Sequence, residues 1–448
     1  MMTDTFPELY KNIKQEFTFK RMRNTALLAW LVGLSALLIN FSKPETGLSI
    51  VPHSNDDAFD LLRAVWWLAC TSWGLYGCIE ILNSLTREKI DGTWDLQRLT
   101  PLSSYRMAVG KLLGPLLFPT FVASLLLPFL FYGLIFSGSQ GISWMSRVAP
   151  QSLCFLLFVF CFSLLASCFA NSRRVVGLIV VFLFFLSNVF FSTTGLLSNA
   201  QANQDALSFF GVHLSRYQYL NLLALIFAAW SFKGAQWILG RELLEAPKFW
   251  RVPIFILFLL VLGIGHRELG DDLTTKERAL WLGALLATLA TYSAAFFESP
   301  TIDKIRKGLM FSTGFERISR LPVWALASVA LSIGTWLALL FVNIESANER
   351  HVYIVFPLFV LRDLLIYQWI CLSDSRRPQI VTMVVLALIY VVPMYLTKLL
   401  EVEQLSAFFA PSIKSNFTLN VVAPLAQVAV VVAVLRAKLK GALEAPKA

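Results

Sequence analysis

Residues 112–170 read LLGPLLFPTFVASLLLPFLFYGLIFSGSQGISWMSRVAPQSLCFLLFVFCFSLLASCFA and hold one charged side chain, Arg147. A water-facing domain carries charge at about a quarter of its positions, so this stretch cannot cover a wet surface. On either side of Arg147 lies an apolar run, 112–137 and 149–170. Each reaches the roughly 20 residues that a helix needs to cross a bilayer. The rest of the chain repeats the pattern: its 448 residues are 57% hydrophobic and 15% charged, with a mean hydropathy of +0.65. Further runs fall at 25–41, 61–83, 175–194, 217–239, 251–265, 279–297, 322–343, 353–372, 379–399 and 418–436. Lipid offers lone backbone groups no partner, and no ten-residue alternation suggests a barrel, so the runs are read as helices. The expectation is an all-α polytopic membrane protein of about 12 transmembrane helices.

Length then limits what else is present. Twelve spans take about 240 residues and leave about 208 for tails and loops, with no gap above roughly 30. A soluble catalytic domain needs at least ~50 residues. Any energy source therefore lies in the membrane helices or on a partner. The six cysteines (Cys70, Cys78, Cys154, Cys161, Cys168, Cys371) fall in or beside apolar runs and read as small hydrophobes, not disulfides or ligands. The segment after Ile39 lacks a small-residue cleavage site, so the first apolar run is expected to stay as a helix.

Orientation follows the Lys/Arg bias of the loops. With the N-terminus inside, 27 of the 38 Lys and Arg fall on the inner side and 10 on the outer, and Arg362 stands in mid-helix. Both termini are then cytoplasmic, in a cytoplasmic (inner) membrane. The net charge of +10 needs no nucleic acid, since retention on the inner face and attraction to anionic membrane lipids account for it.

The chain also echoes itself. Cys168-Phe-Ala-Asn171-Ser172-Arg173-Arg174 recurs as Cys371-Leu-Ser-Asp374-Ser375-Arg376-Arg377 at an offset of 203. Phe209-Phe210 before the sixth run matches Phe408-Phe409 before the twelfth, and Glu245-Ala-Pro-Lys248 matches Glu444-Ala-Pro-Lys447, both at 199. Three echoes in one order read as an internal repeat of two parallel six-helix halves, 1–248 and 249–448. Such duplications place a path at the interface between the halves.

The longest inner segment is 84–111. Gly92 can end one short helix, Thr93 can cap the next, Pro101 stops it, and Ser103 or Ser104 can cap the run that follows. Ile90, Trp94, Leu96 and Leu99 give this segment an apolar face on which a partner could dock; the plainer alternative is a basic loop held at the headgroups. Here the residues resemble a family. Glu88-x3-Gly92-Thr93-Trp94, Leu99-Thr100-Pro101-Leu102-Ser103 and Gly110-Lys111 look like the signature of type-2 ABC transporter permeases, whose segment after the second helix couples to an ATPase. The basic stretch 6–23 is similar to that family's interfacial elbow helix, and the Phe-Phe segments lie where it carries short outer-leaflet helices. The resemblance implies a transmembrane subunit of an ATP-driven exporter, served by a separate, dimeric ABC-type ATPase that holds ATP and Mg, with room for a further permease or accessory subunit.

The second half departs at the equivalent inner position. Residues 298–320, with Lys304, Arg306, Lys307 and Arg317, are as basic but lack the Gly-Thr and Thr-Pro-Leu-Ser pairs. No Gly-x4-Gly-Lys-Ser/Thr occurs in the chain, so no cofactor or nucleotide is expected on it and the chain itself is not expected to be an enzyme.

Other polar residues are weighed by cost. Arg362 and Asp363 stand in mid-span, where charge is expensive; being adjacent, they are expected to point apart and to pair with other helices or with substrate. Glu80 and Glu298 are read as span-closing carboxylates. His53, His213, His266 and His351 are read as scattered loop residues with no metal spacing, and Trp66, Trp144, Trp250 and Tyr353 as interfacial belts. Two competing readings are a major-facilitator-like secondary transporter and a membrane enzyme using Asp205, His213, Asp271 or Asp272. The loop after span 2 lacks the facilitator pattern, and no constellation joins the four acid or base candidates.

Overall fold

The computed structural model describes residues 19–43, 47–48, 55–95, 102–169, 206–243, 250–265, 273–297, 322–341, 347–372, 378–399, 408–409 and 417–444. Among these it is helical apart from two short hairpins, β1 (Ser42–Lys43) with β2 (Gly47–Leu48) and β3 (Ala206–Phe209) with β4 (Val212–Ser215). The helices are α1 (Phe19–Phe41), α2 (Asn55–Ile90), α3 (Ser104–Ser124), α4 (Leu127–Phe169), α5 (Arg216–Glu242), α6 (Arg251–Gly265), α7 (Leu273–Phe297), α8 (Val323–Phe341), α9 (Ala347–Cys371), α10 (Pro378–Leu399) and α11 (Phe417–Glu444).

Six helical stretches are long and apolar enough to cross a membrane: Asp56–Ile90, Ser104–Ser124, Leu127–Phe169, Tyr217–Glu242, Val352–Cys371 and Thr418–Lys438. Four more, Arg251–Gly265, Gly283–Ala295, Val323–Leu337 and Ile380–Pro393, are apolar but shorter. The chain is a helical membrane protein in which, among the described residues, six helices reach spanning length where about twelve spans were expected. The expected span at 175–194 lies outside the described residues, as do the stretch 6–18 of the expected elbow and all of 298–320.

Local chemistry explains the element ends. Asp56 and Asp57 open α2, and Arg87 and Lys89 close it, each charge at the pole of the helix dipole that favours it. Ser103 caps α3 with extended angles (φ −69°, ψ 148°), its side chain accepting from the Arg106 N–H at 3.4 Å. Ser215 and Gln218 form a reciprocal capping box at the start of α5, which satisfies two otherwise orphaned N–H groups.

Two boundaries differ from the sequence expectation. The short separate helix expected early in 84–111 is instead a continuation of α2, which runs unbroken to Ile90 because nothing before Gly92 interrupts the backbone ladder. The run 112–137 is divided between α3, which ends at Ser124, and α4, which begins at Leu127; α4 then continues past a kink at Gly138 (φ 58°, ψ −138°), next to the expected end of that run, into 149–169. Those angles suit glycine alone, and the polar residues 139–148 that read as a loop are helical.

The chain divides into two compact units, residues 1–206 with 214–246, and residues 207–213 with 247–448. In the first, α2 packs against α4 and α3, and α5 packs against α4 and α3. Close approach depends on small residues: a Cβ on Gly133 would sit 3.1 Å from the Leu62 backbone. Indole groups bridge the helices, Trp66 Nε1 donating to Ser152 Oγ at 3.2 Å and Trp73 Nε1 to Thr120 Oγ1 at 3.1 Å. Trp66 and Trp144 are half-buried in this packing. In the second unit α6 packs on α7 and α8, and α9 packs on α8, α10 and α11. Gly263 and Gly283 let α6 and α7 touch, a Cβ on Gly283 falling 2.8 Å from Gly263 Cα, as small residues do between membrane helices.

Candidate functional site

The segment singled out in sequence forms the join between α2 and α3. Gly92 takes φ 71°, which ends α2, and a Cβ there would meet nothing within 4 Å. The turn projects. Arg87, Asp91, Gly92, Thr93, Asp95, Ser103 and Arg106 are exposed, with Ile90 (48%) and Tyr105 (51%) presenting apolar surface among them. Thr93 Oγ1 donates back to the Glu88 carbonyl at 3.5 Å, so its side chain closes the end of α2. Leu96, Leu99, Thr100 and Pro101 lie outside the described residues.

Trp94 does not join the docking face that its spacing suggested. It is 6% exposed and buried in a cluster with Ile81, Leu85, Met107 and Ala108, against which Leu102 packs. Ile90 faces out and Trp94 faces in, so the indole anchors the turn to the bundle instead of offering it to a partner.

Below the turn lie two ion pairs. Lys111 Nζ is paired with Glu88 Oε2, their side chains 2% and 12% exposed, so the first and last parts of the quoted signature meet and tie α2 to α3. Lys89 Nζ donates to Glu242 Oε1 at 3.2 Å and to the Cys168 carbonyl at 2.8 Å, tying α2 to the ends of α5 and α4. The turn is thus fastened to four helices of the first unit. Sequence reasoning did not single out Lys89 or Glu242. The available signal was Glu242 itself: an acid at a helix C-terminus is unfavourable against the dipole and calls for a cation.

Glu80 is half-buried and lies in α2, ten residues before its end. Glu298 and the second-half residues Lys304, Arg306, Lys307 and Arg317 lie outside the described residues, as do Asp205, Asp271 and Asp272. Among the described residues no group of His, Cys, Asp and Glu could hold a metal ion, and His213 is exposed on β4.

The second locus is in α9. Arg362 and Asp363 are 2% and 1% exposed, and, contrary to expectation, they pair with each other. Arg362 Nε and Nη2 donate to Asp363 Oδ1 at 2.9 and 2.7 Å. Neighbouring Cβ atoms diverge, but the guanidinium is long enough to fold back. Tyr292 of α7 and Tyr390 of α10 donate to Asp363 Oδ2 at 2.7 and 2.6 Å. Neither tyrosine was foreseen, although both lie inside apolar runs and away from the ends where belt tyrosines sit. Tyr353 is also buried, at 2% exposure, and is no belt residue.

Comparison of the chain with protein-family models, with characterised proteins and with solved structures finds no match.

Proposed function

We propose that the chain is the membrane-spanning permease subunit of an ATP-driven ABC transporter, an exporter of the cytoplasmic membrane, served by a separate ATPase dimer. In this reading it has two parallel six-helix halves, both termini are cytoplasmic, and residues 84–111 receive the ATPase. The observation that carries the reading is the Gly92 turn, which is exposed among the described residues while the buried Glu88–Lys111 pair and the half-buried Lys89–Glu242 pair bind its base to α2, α3, α4 and α5. A push on such a turn moves helix ends together. ATP-driven closure of the partner would act there, with residues 298–320 in the equivalent role in the second half.

The test is to purify the full chain from its own membranes in mild detergent and assay the eluate for ATP hydrolysis. A phosphate-loop ATPase should accompany the chain, and Gly92→Asp or Thr93→Lys should lower the associated hydrolysis by about tenfold, the loss of some 1.4 kcal/mol of contact. Absence of any ATPase, or hydrolysis unchanged by both substitutions, overturns the reading.

A further inference from the structure

The polar cluster of α9 does not end at Asp363. Arg362 Nη1 donates to Gln427 Oε1 of α11 at 2.9 Å and to the Phe409 carbonyl at 3.4 Å. Gln427 Nε2 donates to the Phe408 carbonyl at 2.6 Å. The guanidinium lies over the Phe359 and Tyr390 rings, 4.9 and 5.2 Å from their centroids.

Phe408 and Phe409 are not in an α-helix, yet they meet side chains deep in their helices. At 1.5 Å per residue, Gln427 is about 15 Å along α11 from Phe417, and Arg362 about 22 Å along α9 from Ala347. Half the thickness of a bilayer's hydrocarbon core is also about 15 Å. At that depth non-helical backbone is tolerated only where protein groups take up its hydrogen bonds. Gln427 and Arg362 take up these two carbonyls.

We infer that Arg362 and Gln427 are an internal anchor for the turn at Phe408–Phe409, and that the Arg362–Asp363 pair is there to hold that turn and not to handle substrate. Each member accounts for the next. The turn's carbonyls need donors; Arg362 supplies one and needs a counter-charge; Asp363 supplies that and needs donors for its second oxygen; Tyr292 and Tyr390 provide them.

The Phe209-Phe210 echo is satisfied without such a charge: it lies in the β3–β4 hairpin, whose strands pair with each other, and within the second unit, to which residues 207–213 belong, the Phe210 N–H donates to the Gly265 carbonyl at 3.2 Å. The positions matching Arg362 and Asp363 at the 203 offset, Val159 and Phe160, are 2% and 3% exposed among apolar neighbours. This inference does not depend on coupling to an ATPase.

The experiment uses the purified full-length chain carrying Phe409→Cys, a half-buried position, with maleimide labelling at position 409 followed by mass spectrometry of that peptide. Held against the bundle, the thiol is partly shielded and reacts slowly; released to water, it ionises and labels faster. Adding Gln427→Leu should raise the rate about tenfold or more, because the Phe408 carbonyl loses its donor. Gln427→Glu, which keeps an acceptor for Arg362 and sets a carboxylate oxygen in place of the Nε2 donor, should do the same and carries the test if the leucine variant does not fold. Tyr390→Phe, which touches Asp363 but not the turn, should leave the rate within about twofold. Unchanged labelling in the Gln427 variants overturns the inference, and so does an equal rise with Tyr390→Phe, which would mean general loosening.

Discussion

Lys111 illustrates how much of this molecule depends on single polar contacts. Its ammonium is buried at the start of an apolar run, and Glu88, one turn before Gly92, is its counter-charge. Removing one partner of a buried pair leaves the other charged and unpaired, which costs about 3 kcal/mol or more, whereas replacing both by apolar groups is often close to neutral. Lys111→Met should therefore lower the thermal unfolding midpoint in detergent markedly, and the double variant Glu88→Met with Lys111→Met should recover most of the loss. If the single and double variants fall equally, the pair is not what holds α2 to α3. The same logic separates what could be read from residue types from what could not. A mid-span Arg362 announces a partner, but which partner depends on side-chain reach. Adjacency along a helix argues against pairing for short side chains and fails for a guanidinium, which folded back onto Asp363 while keeping Nη1 for Gln427 and Phe409.

Among the helices, hydropathy located cores better than ends. The run at 61–83 falls inside α2, and the run at 149–170 falls inside α4 up to Phe169, because apolar length is what a membrane selects. Their polar extensions, 84–90 and 139–148, are helical without being apolar, since a backbone ladder continues through any residues that do not break it. Gly92 was legible as a terminator because its conformation is a property of one residue. The kink at Gly138 lies where the apolar run 112–137 ends, between Ser137 and Ser139, whereas Gly133 stands inside that run and its packing role was not legible, because glycine is common in membrane helices. The structure distinguishes them sharply: a Cβ on Gly138 would meet nothing within 4 Å, while one on Gly133 would lie 3.1 Å from the Leu62 backbone. Gly133→Val should accordingly force α2 and α4 apart at a cost of about 1–3 kcal/mol, read as a lower unfolding midpoint. An unchanged midpoint would show that the two helices do not pack through this glycine.

For the molecule as a whole, composition pointed to the membrane class, and the proposed function depends on what the exposed turn meets. The docking face read from sequence was the stripe Ile90, Trp94, Leu96 and Leu99; the structure divides its described part, burying Trp94 and exposing Ile90, with Thr93 and Asp95 exposed beside it. That division makes the proposed coupling directly measurable. A photo-crosslinking residue placed at Thr93 or Asp95 of the full chain in its native membrane should join it to a phosphate-loop ATPase, and the same residue at Val212, exposed on the β4 hairpin strand, should not. Crosslinks to an ATPase from Thr93 and Asp95 alone would support the account; none from either position, or equal yield from Val212, would contradict it.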